Sequence, residues 1–332
     1  MNYNRLRVIY NNVKKNSFFF CSVLSFLRLT GRRYLNVRID TTNFCNLRCK
    51  MCYLSKNNKY EKVNMDKETF DKVANKFFSK TRMLYLSCGA EPLVNLNFTE
   101  FLNSSSGYGI PFRSFATNGM LLGKKVIDSC VDNRIEEVIL SLDGSSKETV
   151  QSIRVGSDFS RIIGNLKELD QAVSNSPDHF PRIRINFTLM QFNFHELEKT
   201  IRFFSKFKNV YIIDIRHMRV HEGMEMHDEV LTKNHQREYD DIIKRMEKYC
   251  KERKILLQYP KKCFVESIDI KDKYFCPIPF FSIYVDSKGD ARLCPYVKEG
   301  ISINHFEILN NQAIREYLKK HSPNCGICET NV

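Results

Sequence analysis

The chain has 332 residues, 42% of them hydrophobic and 27% charged, the composition of a soluble globular protein with room for a barrel-sized core and a smaller appendage. Its net charge of +14 suits nucleic acid, a membrane surface or an anionic ligand. The lysines and arginines are spread along the chain without one basic run interleaved with aromatics, which argues against nucleic acid. Twelve cysteines, with no cleavable secretory signal opening the sequence, point to metal binding in a reducing cytosol rather than to a disulfide framework.

Residues 1–33 place Arg5, Arg7, Lys14 and Lys15 before the apolar run 18–27, followed by Arg28, Arg32 and Arg33. The run is too short to span a bilayer, which needs about 20 apolar residues. It suits either an interfacial helix in peripheral contact with a membrane or a helix packed across the open side or bottom of a barrel. From Asn36 onward, strand-like runs at 37–40, 83–87, 113–117, 138–142, 183–190 and 210–215 alternate with helical patterns, the sign of parallel strands joined by crossover helices. Phe70, Val73, Ala74, Phe77 and Phe78 follow helical spacing, with Asp66 as their N-cap. Further helical faces are Val126, Ile127, Cys130 and Val131; Ile162, Ile163, Leu166, Leu169 and Val173; and Leu197, Ile201, Phe204 and Phe207. Six alternations fit an incomplete barrel or an open doubly wound sheet. A charged helix over about 234–252, striped by Tyr239, Ile242, Ile243, Met246, Tyr249 and Cys250, reads as a bridge out of this unit. Residues 276–294 read as two strands joined by a turn at 287–290, with a cysteine at each end; a short helix at 313–319 follows. The expected organisation is a segment 1–33, a core 34–232, a helical bridge 233–262 and a C-terminal unit 263–332. No internal repeat or low-complexity tract is present.

Two cysteine groups carry chemistry. Cys45, Cys49 and Cys52 form a C-x3-C-x2-C array. A cubane iron–sulfur cluster has four irons, each wanting one terminal ligand, so three thiolates leave one iron open. A zinc knuckle or three buried thiols are the competing readings, although zinc sites usually pair two C-x2-C halves. Cys276, Cys294, Cys325 and Cys328 supply four thiolates, enough to saturate a second cubane or to hold a structural zinc. The remaining cysteines, Cys21, Cys88, Cys130, Cys250 and Cys263, stand apart and read as structural.

The array and the segments that follow it in order, 87–92 (SCGAEP), 116–119 (ATNG), 141–144 (SLDG) and 153–159 (IRVGSDF), resemble the radical S-adenosylmethionine (radical SAM) enzymes over about 36–216. The resemblance implies an α/β fold, a partial (β/α)6 radical SAM barrel with a small C-terminal auxiliary-cluster domain. It also implies a 4Fe-4S cluster on Cys45, Cys49 and Cys52, chelated by the amino and carboxylate groups of SAM, whose reductive cleavage releases a 5′-deoxyadenosyl radical that abstracts hydrogen from substrate. By the same resemblance Met51 lies near the adenine, or packs as an ordinary apolar residue. Gly89, Ala90 and Glu91 form the turn that holds the SAM amino group, with Ala90 where the family has a second glycine. Asn118 lines the active site or caps a turn. Ser141 and Asp143 approach SAM, and Arg154 pairs with its carboxylate, a task suited to a bidentate guanidinium. Arg216, His217 and Arg219 leave the sixth strand toward the same barrel end, as substrate contacts or as plain surface groups.

The C-terminal cysteines resemble the SPASM domain in its shortened Twitch form. The full pattern continues with more cysteines, whereas this sequence stops four residues after Cys328, so one auxiliary 4Fe-4S cluster is expected, as an electron acceptor. The leading expectation is oxidation of a sugar- or aminocyclitol-type alcohol, with flavodoxin or ferredoxin as electron donor. The alternatives are a maturase acting on a small peptide and a non-enzymatic zinc-binding module. The roughly 35 residues ahead of the barrel are too few for the winged-helix peptide-recognition domain of many peptide modifiers.

Overall fold

The computed structural model describes residues 36–56, 61–87, 89–220, 224–264, 282–294 and 300–305. Its strands are β1 (Asn36–Ile39), β2 (Arg48–Cys49), β3 (Met83–Tyr85), β4 (Phe112–Thr117), β5 (Glu137–Ser141), β6 (Arg154–Val155), β7 (Arg182–Leu189), β8 (Val210–His217), β9 (Leu256–Gln258), β10 (Ser282–Val285), β11 (Asp290–Arg292) and β12 (Ile301–Ser302). Its helices are α1 (Tyr53–Lys56), α2 (Lys67–Phe77), α3 (Phe98–Ser106), α4 (Lys124–Asp132), α5 (Lys147–Ile153), α6 (Phe159–Asn175), α7 (Gln191–Phe194), α8 (Leu197–Phe204) and α9 (Gln236–Glu252). A ten-stranded sheet runs β12-β11-β10-β1-β3-β4-β5-β7-β8-β9. Every neighbouring pair from β10 to β9 is parallel. The six expected strands all form, within a mostly parallel barrel sheet.

Strand alternation decides what each face does. Val37, Ile39, Leu84, Val138, Leu140, Ile183, Ile185, Ile213 and Ile215 share one buried core with Phe70 and Phe77 of α2, Ile127 of α4, Leu166 of α6, Ile201 of α8 and Met246 of α9. The residues between them point the other way, into the lumen: Arg38 beside Tyr85, Ser114 beside Glu137, Ser141 beside Asn186, and Asp214 beside both Asn186 and Gln258. The helices are placed by local rules. Asp66 caps α2, its Oδ1 accepting from the Thr69 N–H at 2.7 Å, and Phe70 stacks on Phe101 with centroids 4.3 Å apart.

One stretch differs from expectation. The stretch 233–262, read as a helical bridge, also contains β9, which pairs in parallel with β8 through Ile212↔Leu256 and Asp214↔Gln258. It therefore extends the barrel sheet. Three residues after a helix are too short for a period-2 pattern to announce a strand. The hairpin of β10 and β11 forms as read, with Gly289 at φ +87° in its turn, and β10 lies in parallel along the whole of β1. The described part of the C-terminal unit is thus continuous with the core. Residues 1–33, Cys276, Cys325, Cys328 and the expected helix at 313–319 lie outside the described residues. Among the described residues no helix is long and apolar enough to cross a membrane.

Candidate active site

The three-cysteine loop leaves the end of β1, where loops after parallel strands gather, and is tied down at both flanks. Asn43 exchanges hydrogen bonds with Val63, its N–H reaching Val63 O at 3.2 Å while Val63 N–H reaches Asn43 Oδ1 at 2.8 Å. At the far side, β2 pairs antiparallel with β6, placing Cys49 opposite Arg154, and Lys50 N–H donates to Ile153 O at 2.9 Å. A strand pair of two residues each, bridging about a hundred positions of sequence, therefore sets where Cys49 stands. The sulfurs are met by donors: Cys45 Sγ accepts from Leu47 N–H at 3.4 Å and lies 3.7 Å from Asn118 Nδ2, and Cys49 Sγ lies 3.9 Å from Arg154 Nη1.

Burial pushes the Cys49 thiol up to about 11, against the opposing pull of the Arg154 charge, and raises Cys45 as well. A metal ligand must be a thiolate, so what burial opposes, a bound cationic iron would restore. The N–H groups aimed at sulfur fit acceptors that carry negative charge. One loop with three thiols and convergent donors fits a three-thiolate 4Fe-4S cluster. Among the described residues, no three His, Cys, Asp or Glu side chains gather as the ligands of a single metal ion.

Gly89 N–H donates to Asp40 Oδ1 at 2.9 Å, and a Cβ on Gly89 would collide with the Tyr53 hydroxyl. Glycine at the first position of the turn leaves room for the Tyr53 hydroxyl, and Ala90 takes the second. Gly89 and Ala90 border a small cavity of about 100 Å³ with Asp40, Tyr53, Asp286 and Ser287. The Glu91 carboxylate turns inward: Oε1 accepts from Thr117 Oγ1 at 2.7 Å and from Leu93 N–H at 3.3 Å, and Oε2 from Asn118 N–H at 2.7 Å. Glu91 thus anchors the end of β4. Asn118 lies at the end of β4 and faces two ways. Its Oδ1 caps the turn by accepting from Met120 N–H at 2.9 Å, and its Nδ2 reaches Asn46 Oδ1 at 2.8 Å beside Cys45.

Asp143 is fully buried. Its Oδ1 accepts from Thr188 N–H at 2.8 Å, and its Oδ2 lies 2.8 Å from Arg154 Nη2. Arg154, expected to hold the SAM carboxylate, is itself buried and spans Asp143 and Cys49; its place in the structure is behind the cysteine loop. Ser141 is half-buried at the end of β5 with its side chain on the lumen face. Met51 packs with Ile153, Met190 and Met218 in a separate apolar cluster. Cys294 is buried just beyond β11.

Glu196, Glu137, Arg184 and Asp214, absent from the sequence reading, join Arg216 in further polar networks. Glu196 accepts from Ser145 N–H at 3.0 Å and from Ser146 Oγ at 2.6 Å, holding the loop after β5. Inside the lumen, Glu137 meets Ser114 Oγ at 3.1 Å, Tyr211 Oη and Arg184; Arg184 pairs with Asp214; and Asp214 accepts from Arg216 Nε at 2.7 Å. Burial pushes Asp214 up, but the Arg216 and Arg184 charges and their hydrogen bonds outweigh it and hold the carboxyl below its usual value, whereas burial lowers His217 from its usual value.

Parallel strands, outer helices and a three-thiol loop at the strand ends define an α/β barrel protein with a cysteine-bearing loop at one end. Residues 39–204, half of the chain, match the radical SAM superfamily, and the chain belongs to that superfamily. S-adenosylmethionine and one 4Fe-4S cluster come with that membership. The chain is 28% identical over 180 residues to the "Probable GTP 3′,8-cyclase" of Methanocaldococcus jannaschii, covering 52% of this chain and 56% of that relative. It is 25% identical over 171 residues to the tungsten-containing aldehyde ferredoxin oxidoreductase cofactor-modifying protein of Pyrococcus furiosus, covering 50% and 46%. The chain spans about half the length of these curated relatives. In fold it is similar to Streptococcus suis SuiB bound to S-adenosylmethionine, with TM-score 0.66 and 14% identity over 90% of this chain and 70% of that one.

Proposed function

We propose that this chain is a radical SAM oxidoreductase acting on a hydroxylated, polar small molecule held in the barrel lumen, with an auxiliary 4Fe-4S cluster on Cys276, Cys294, Cys325 and Cys328 taking the electron released. A cluster on Cys45, Cys49 and Cys52 together with SAM supplies the hydrogen-abstracting 5′-deoxyadenosyl radical. The protein's own part is to orient the substrate and exclude water. The observation that carries the reading is the polar inner face of the sheet, which carries Arg38, Tyr85, Glu137, Ser141, Arg184, Asn186 and Asp214. Such a lining matches a hydrogen-bonding substrate better than an apolar side chain of a peptide. A relative named for cyclising GTP, itself a polar hydroxyl-bearing molecule, supports the same class. Reducing electrons would come from flavodoxin or ferredoxin.

The test is anaerobic reconstitution with iron, sulfide and zinc analysis, followed by a 5′-deoxyadenosine assay under reductant and SAM. About eight irons per chain and deoxyadenosine formation are expected, with C49A losing deoxyadenosine while staying soluble. About four irons with zinc would remove the electron-acceptor role of the C-terminal cysteines; no deoxyadenosine would remove the radical reading.

A further inference from the structure

The lumen network has a direction. It starts at Glu137, buried and fixed by Ser114 and Tyr211, passes through Arg184 to Asp214, and ends at Arg216 near the mouth. The first three members are almost fully buried, whereas the Arg216 side chain is 53% exposed. Only its Nε is engaged, by Asp214. The two terminal nitrogens of its guanidinium have no partner among the described residues. A buried carboxylate that grips Nε fixes the plane of the fork and turns its free edge outward, which is the arrangement that binds an oxyanion in bidentate fashion.

We infer that Arg216, oriented by Asp214, binds a phosphoryl or carboxyl oxyanion of the substrate at the mouth of the barrel, so the substrate is an anionic small molecule. The inference rests on the lumen being the substrate site and narrows its substrate class.

The SAM-loaded, reconstituted full chain is titrated calorimetrically with inorganic pyrophosphate and, separately, with citrate, so that phosphoryl and carboxyl preferences are read apart. Saturable binding of at least one probe is expected, weakened about tenfold or more in R216Q, with R216K in between because lysine keeps the charge and lacks the fork. Circular dichroism checks that R216Q stays folded, as its half-exposed position favours. Absence of saturable binding to the wild type, or equal binding by R216Q, overturns the inference. The same variant is titrated with SAM: a loss there without a loss for either probe assigns Arg216 to the cofactor's carboxylate and also overturns it. Deoxyadenosine formation is scored independently, so failure of the radical reading and failure of the anion site are distinguishable.

Discussion

A carboxyl group with almost no exposed surface, Glu91, holds the end of β4 through three hydrogen bonds. Burial pushes it up to about 7 from its model-peptide value of 4.5, against the lowering effect of its donors. The folded state therefore binds this proton more tightly than the unfolded chain does. Between pH 4.5 and about 7 the folded form keeps a proton that the unfolded form has released, so stability falls as pH rises through that window. At 1.36 kcal/mol per pH unit, the loss is roughly 3 kcal/mol at most. Urea unfolding of the iron-free chain across that range should show the decline, and E91Q should flatten it; an unchanged slope in E91Q would place the titration elsewhere. Arg154 makes a related point. Its distance from solvent and its contacts with Asp143 and Cys49 make it a brace of the loop that carries the cluster ligands.

The elements of this fold were legible in unequal measure, for physical reasons. The six inner strands announce themselves because one face must be apolar along each, and α2 announces its start with Asp66. The pair β2 and β6 could not be read, since two residues each carry no period and their partners stand about a hundred positions apart. The same holds for the link from Glu137 to Arg216, which only the stacking of neighbouring strands assembles. The cysteine array, the turn at Gly89 and Asn118 were legible because each is local in sequence; what their side chains touch was not. Gly156 offers a test of the β2–β6 clamp. It sits at φ +90°, where an added Cβ would meet Leu47 only at 3.7 Å, so space is available and the cost is in the backbone. G156A should lose about 1–2 kcal/mol, seen as a lower urea midpoint and weaker iron retention. A midpoint equal to wild type would show that the turn after β6 relaxes without consequence.

Across the whole molecule, the described C-terminal hairpin completes the barrel sheet. Ile283 and Val285 of β10 belong to the same core as Val37 and Ile39 of β1. A chain ending after residue 264 would uncover a row of unpaired backbone groups on β1 and the apolar surface beside it, a template for association. Size-exclusion chromatography should find it aggregated, whereas a monodisperse, folded product would make the C-terminal part a separable domain. The seam between β1 and β10 has a further consequence. It extends to a 2.8 Å hydrogen bond from Asp40 N–H to Val285 O, so the strand that launches the first cysteine loop and the strand that leads toward Cys294 are locked side by side. The gauge between these two tracks is the interstrand spacing of about 4.8 Å, not the swing of a linker. A substitution that loosens β10 would therefore be felt at the loop that β1 launches, through paired backbone and not through a hinge.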